Sequence, residues 1–159
     1  MTRVLLTGMS GVGVSTVLGW LQERGYGVVD TDDGDWAREV ELLDGSGREQ
    51  LWDERRMAEL LATDREGTLV VGGCASNQGR FYDRFDAVIL LSAPVEVMRD
   101  RIAQRVKSFG KRPEEWRRIL RDVELVEPLL RASCTEEIRT DRPLEAVAHD
   151  VDTLIARLR

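Results

Sequence analysis

The chain has 159 residues, 42% hydrophobic and 33% charged, with a formal net charge of −6. That size and composition fit one globular domain with a full core, and the acidic balance argues against a general nucleic-acid binder. The apolar runs are too short to span a membrane and no basic-then-apolar leader opens the chain, so a cytoplasmic protein without membrane or nucleic-acid partners is expected. Its two cysteines, Cys74 and Cys134, fit a reducing compartment and have no Cys or His partners at metal-ligand spacing. The charge is uneven: ten acids face two bases between Asp30 and Glu54, and nine bases face three acids between Arg99 and Arg121. Solvated helix faces account for most of them.

Val4–Thr7 reads as a first strand, followed by Gly8-Met9-Ser10-Gly11-Val12-Gly13-Val14-Ser15-Thr16 and a helical pattern, Ser15–Gly25, that glycine ends. Strand, glycine-rich loop and helix in this order are the setting of a phosphate-binding P-loop. Glycines at 8, 11 and 13 let the main-chain N–H groups of Ser10, Val12 and their neighbours through Thr16 close round a phosphate, with the helix dipole behind them. The Ser15 hydroxyl is placed to ligate Mg²⁺. Position 14 breaks the pattern, which asks for lysine where this chain has Val14. Losing that one mobile charge is expected to raise a phosphoryl-transfer transition state by about 3–4 kcal/mol.

Gly27-Val28-Val29 reads as a second strand leading into the acidic turn Asp30-Thr31-Asp32-Asp33-Gly34-Asp35-Trp36, which a parallel sheet would place beside the P-loop mouth. A mobile turn, Asp44–Gly47, and a helix over Arg48–Ala62 with Leu51, Trp52, Leu60 and Leu61 facing the core are expected next. Leu69–Val71 is a buried strand, and Gly72–Phe85 a loop at its carboxyl end. Ala87–Leu91 is a fourth strand. Ser92-Ala93-Pro94 opens a helix with Val95, Met98, Ile102 and Val106 inward and Arg101 and Arg105 sharing one face. The loop Lys107–Pro113 holds both lysines of the chain, Lys107 and Lys111. Pro113 opens a second helix, with Trp116, Ile119, Leu120, Val123, Val126 and Leu130 on one side. Two helices joined by a basic loop form a lid, about residues 105–114. Glu137–Arg139 is a fifth strand, and Leu144, Val147, Val151, Leu154, Ile155 and Leu158 mark a closing helix. Five strands alternating with helices predict one doubly wound α/β domain over 1–159, its parallel sheet covered on both faces.

P-loop, acidic turn, arginine-bearing loop and basic lid together resemble the P-loop small-molecule kinases, the group of adenylate, shikimate and gluconate kinase. Cys74-Ala75-Ser76-Asn77-Gln78-Gly79-Arg80-Phe81-Tyr82 resembles a stretch of small shikimate-kinase-like ATP-binding proteins of that group. The resemblance implies ATP and Mg²⁺ as cofactors. Asp30 would then help hold Mg²⁺ and Asp32 would activate an acceptor hydroxyl, as in the Asp-x-Asp of shikimate kinase. Arg80 and Arg84 either grip an anionic acceptor or pair with Asp83 or Asp86. Arg101 and Arg105 match lid arginines that clamp the transferring phosphoryl group, and either they or Lys111 would replace the missing lysine. Thr140-Asp141-Arg142-Pro143 matches the adenine-stacking position. Trp36 and Tyr82 either stack on the acceptor or belong to the core, and His149 reads as a surface residue.

Two functions fit these residues. One is Mg²⁺-dependent transfer of the ATP γ-phosphoryl group to a small hydroxylated metabolite. The other is a nucleotide-binding module that signals to a partner, with Val14 marking lost chemistry. An altered position 14 in an otherwise complete kinase is compatible with the first.

Overall fold

The structure, a computed structural model, describes residues 1–45 and 47–159. In chain order the elements are β1 (Thr2–Thr7), α1 (Val14–Glu23), β2 (Gly27–Asp30), β3 (Ala37–Glu41), β4 (Arg48–Trp52), α2 (Glu54–Ala62), β5 (Thr68–Gly72), a 3-10 segment (Gln78–Arg84), β6 (Ala87–Ser92), α3 (Val95–Gln104), α4 (Pro113–Leu125), α5 (Glu127–Ser133), β7 (Glu136–Arg139) and α6 (Leu144–Leu158). Five strands pair in the parallel order β2-β5-β1-β6-β7. β1 lies at the centre, with Leu5 opposite Val71 on one side and Val88 on the other.

Successive side chains of β1 leave by opposite faces. Val4 and Leu6 pack with Val17, Leu18 and Leu21 of α1, Met98 and Ile102 of α3, and Val147, Val151 and Ile155 of α6. Leu5 packs with Trp52, Met57, Leu61, Phe81 and Phe85 on the other side. Both faces are covered, which is why these strands read as unbroken apolar runs. The doubly wound α/β domain with a five-stranded parallel sheet is the architecture the sequence predicts. The strand order also gathers the carboxyl ends of β1, β5 and β2, and with them the P-loop, the acidic turn and the loop after β5.

The expected helix over Arg48–Ala62 does not form as one element. Its first part is β4, antiparallel to β3 with Ala37 opposite Trp52 and Glu41 opposite Arg48. Adjacent strand residues face apart, so Trp52 is buried while Leu51 is only half-buried. The helix begins later, where the Asp53 carboxylate accepts from the Arg56 backbone N–H at 3.1 Å and caps α2. The turn expected over Asp44–Gly47 contains Ser46, which lies outside the described residues. α3 ends at Gln104, so Val106 is fully exposed at 100% instead of facing inward. The second lid helix is likewise two helices, α4 and α5, meeting at Val126 just before Pro128, and Leu120 points outward. Leu158 is also exposed, at the last turn of α6.

The stretch Ser76–Arg80 fastens the β3–β4 hairpin to the sheet. Ser76 N–H donates to the Gln50 carbonyl at 2.8 Å. Asn77 Oδ1 accepts from Trp52 N–H at 2.9 Å, while its Nδ2 donates to the Trp52 carbonyl at 3.1 Å and to Glu54 at 3.2 Å. Asn77→Ala leaves a buried strand end without partners, and it is expected to lower unfolding stability by about 2–3 kcal/mol, read from urea denaturation.

Candidate functional site

The P-loop starts where β1 leaves the sheet. A Cβ on Gly8 would lie 2.5 Å from the Leu91 carbonyl oxygen, so only glycine fits. Gly13, at φ 108°, ends the loop in a left-handed conformation as the N-cap of α1, with no side chain capping the helix. Val17 N–H is the first to find a helical partner, the Gly13 carbonyl at 3.0 Å. The amides of Val14, Ser15 and Thr16 have no acceptor among the described residues, the condition of an anion-binding helix start. The Val12 carbonyl anchors the loop from behind, accepting from Thr140 Oγ1 at 2.7 Å and Arg101 Nη1 at 3.2 Å.

Val14 leaves no gap behind it. Its Cγ1 lies 3.0 Å from where a Gly72 Cβ would stand, and Leu18 fills the rest of that space. The side chain belongs to the wall at the end of β5 and brings no charge to the loop.

Asp30 is the hub of the acidic turn. Its Oδ2 accepts from Ser15 Oγ at 2.7 Å, and its Oδ1 accepts from Asp32 N–H at 3.0 Å. The metal-ligand candidates Ser15 and Asp30 are therefore brought together, and Asp32 is fixed beside them. Thr31 ties the turn down: its N–H and its Oγ1 both donate to the Gly72 carbonyl, each at 2.9 Å. Desolvation, with Asp30 and Asp33 nearby, raises the Asp32 carboxyl above the usual range, against the opposing pull of Lys107 and Arg105.

Those two cations stand in the segment between α3 and α4, the expected lid, which meets this turn through one ion pair. Lys107 Nζ is 3.8 Å from Asp33 Oδ1. Arg105 Nη2 donates to the Phe109 carbonyl at 2.6 Å, and its half-buried guanidinium keeps a buried Nε without a partner. Lys111 folds back inside the loop, donating from Nζ to the Arg105 carbonyl at 2.7 Å. Arg101 is occupied elsewhere: besides Val12 it holds Thr140 Oγ1 at 2.9 Å and the carbonyls of Thr140 and Arg142. The lid side of the site thus presents Arg105 and Lys107, while Arg101 braces the P-loop against the loop after β7.

The acceptor-side candidates, and Arg142 on the adenine side, each have contacts of their own. Arg80 pairs through Nη1 with both Glu54 oxygens at 3.0 Å, a partner the sequence reading did not name. Arg84 lies over the Phe81 ring at 6.0 Å. Trp36 packs with the second core cluster, with Arg56 over its ring at 4.1 Å. The Tyr82 hydroxyl accepts from Gln78 Nε2 at 2.9 Å. Arg142 pairs with Asp150 and donates to the Arg139 carbonyl. His149 is exposed, edge-on to Trp20 at 4.7 Å.

Sequence reasoning gave four residues here no individual role. Gln78 joins the loop after β5 to β1 by accepting from Ala75 N–H at 2.9 Å and donating to Thr7 Oγ1 at 3.2 Å. Cys74, at the end of β5, has its thiol pushed up to about 11 by burial. Lys107 meets the acidic turn, and Asp122 of α4 is a half-buried carboxylate. For Asp122 a signal was available, since it stands three residues after Ile119 on a helix whose apolar face looks inward.

A family model described as AAA domain matches residues 4–125. No curated protein matches significantly. Among solved structures, a shikimate kinase from Acinetobacter baumannii in complex with shikimate is similar over 99% of this chain and 94% of its own, at 19% identity and a TM-score of 0.67. A shikimate kinase from Bacteroides thetaiotaomicron is similar over 98% of each chain, at 16% identity and a TM-score of 0.63. A gluconokinase from Sinorhizobium meliloti covers 99% of this chain and 93% of its own, at 17% identity and a TM-score of 0.55. With the family model spanning most of the chain and the fold shared end to end, this chain belongs to the AAA domain family and has its kinase-like P-loop architecture.

Proposed function

We propose that this protein transfers the γ-phosphoryl group of ATP to a hydroxyl of a small metabolite. The observation that carries this reading is the Ser15–Asp30–Asp32 chain of hydrogen bonds at the mouth of a P-loop. The free amides of α1 would hold the nucleotide's phosphates. Mg²⁺ fits beside them: Ser15 and Asp30 set two hard oxygen ligands side by side, and no cluster of three or more His, Cys, Asp or Glu competes among the described residues. When bound, the ion neutralises charge on the β- and γ-oxygens.

Asp32 acts on the acceptor. The hydroxyl oxygen forms its bond to the γ-phosphorus as the bond from that phosphorus to the β–γ bridging oxygen breaks, and ADP leaves with the electron pair. The hydroxyl proton passes to an Asp32 oxygen. Arg105 and Lys107, set against the acidic turn, face the charge that develops, and the folded lid excludes water. Arg101 acts as a positioning residue through the Val12 carbonyl. The shikimate and gluconate kinases of like fold support a small hydroxylated acceptor.

Val14 favours a second reading, a nucleotide-binding module that has lost the chemistry. Calorimetric titration of Mg·ATP, paired with assay of ADP release, separates the two. The unmodified chain is expected to bind Mg·ATP, and Ser15→Ala to weaken binding about 10-fold or more only when Mg²⁺ is present. Binding without ADP release toward any hydroxylated acceptor would favour the module. No binding at all would remove the P-loop reading itself.

A further inference from the structure

Between α3 and α4 lies a cavity of about 460 Å³, a size that takes a small organic molecule. Ile102 and Gly110 are buried at its floor, the half-buried Trp116 stands at its side, and Arg99, Lys111 and Arg117 form its exposed rim. Ile102 separates the cavity from the P-loop. Its Cγ2 lies 3.0 Å from where a Gly110 Cβ would stand, and its Cδ1 3.1 Å from where a Gly11 Cβ would. A ligand here therefore sits behind the phosphate loop and outside it.

The rim cations keep donors to spare. Arg99 lies over the Trp116 ring at 5.3 Å. Arg117 spends its Nε on the Pro113 carbonyl at 3.3 Å, and Lys111 spends one N–H on the Arg105 carbonyl at 2.7 Å. None of the three makes an ion pair among the described residues, and no carboxylate among them lines the cavity. Glu115, the acid of this turn with a partner, accepts from Arg112 N–H at 3.4 Å instead. In a chain of net charge −6, three cations gathered round one hollow without an acid are a local excess that an anion relieves.

The lining also fixes what kind of anion fits. A bare anion gains little from exposed cations, because water screens the pair. An uncharged apolar molecule gains from covering Ile102, Ala103 and Trp116, but leaves the rim unpaired. A molecule with an apolar body and one carboxylate gains from both, since the arginine forks match its two oxygens.

We propose that this cavity is a binding site for a small aromatic carboxylate, its ring on the Ile102–Trp116 floor and its carboxylate held by Arg99, Lys111 and Arg117. The site stands on the cavity and its charges and is independent of the phosphoryl-transfer reading.

The probes are 3-phenylpropionate, its neutral isostere 3-phenylpropionamide, and propionate, which has the charge without the ring. Each is titrated calorimetrically into the full chain, with and without saturating Mg·ATP. 3-Phenylpropionate is expected to bind about 10-fold or more tighter than either of the others, and Mg·ATP to leave its affinity unchanged. Ala103→Phe, a change at an exposed helix position that fills the cavity, should abolish binding. Arg99→Gln combined with Arg117→Gln should bring the carboxylate and the amide to parity. Thermal unfolding like the parent's shows that each variant is folded. Equal binding of carboxylate and amide by the parent, displacement by Mg·ATP, binding that survives Ala103→Phe, or no binding of any probe would overturn the proposal.

Discussion

Asp32→Asn is expected to lower kcat by about 10²- to 10⁴-fold, the range a positioned general base supplies, while Mg·ATP binding is retained. An amide in the same place keeps the backbone bond from Asp32 N–H to Asp30 but cannot take the acceptor's proton. Activity of the parent should rise with pH as Asp32 ionises. Desolvation and the neighbouring Asp30 place that ionisation above the ordinary value of 3.8, so the acidic limb of kcat/KM lies higher than for a free carboxylate. The same shift fixes the sign of a stability effect. A carboxyl whose pKa is raised by folding favours the native state below its ordinary value, and that contribution is lost as pH rises through the raised value. At neutral pH the ionised Asp32 therefore opposes folding. Asp32→Asn should unfold at a higher temperature than the parent at pH 7, with the gap closing as pH falls toward about 4. Thermal denaturation across that window checks it: an inactive variant with no gain at pH 7 would mean that the carboxyl is not held in a desolvated, like-charged place.

The parallel sheet was legible because burial on both faces leaves unbroken apolar runs at Leu69–Val71 and Ala87–Leu91, a signal in the residues themselves. The β3–β4 hairpin was not. Leu51, Trp52, Leu60 and Leu61 satisfy helical spacing as well as strand-plus-helix, and only the Asp53 cap, a single side chain, marks the boundary. The P-loop and acidic turn were legible for a different reason: their function requires particular residue types at fixed short spacing, and Ser15 meets Asp30 as that spacing implies. The acceptor side depends on which surface arginine finds which acid. Arg80 could not be assigned to Glu54, 26 positions away, before the hairpin and α2 were in place. The same holds for Arg101, whose partners at Val12 and Thr140 are 89 and 39 positions distant.

Lys107→Ala is expected to lower kcat/KM by about 10²-fold in this chain, and by far less in a chain that also carries Val14→Lys. The P-loop lacks its charge because Val14 is packed into the wall beside Gly72, and the other nearby cations are committed. Arg101 braces the Val12 carbonyl, and Lys111 holds the Arg105 carbonyl inside the lid. Among the described residues Lys107 makes one ion pair, with Asp33 at 3.8 Å, and the two side chains are 57% and 74% exposed. A surface pair of that kind is worth about 0–1 kcal/mol, so nucleotide phosphates beside Asp32 could draw Lys107 away from it. On the proposed reading, the lid of the parent would bring the cation to the phosphates. With lysine at position 14 the loop already carries it, and removing Lys107 subtracts a charge the site no longer needs. A double-mutant cycle on kcat/KM measures that dependence. Equal losses in the two backgrounds would assign Lys107 to closing the lid through Asp33, and would leave Arg105 as the cation that compensates for Val14.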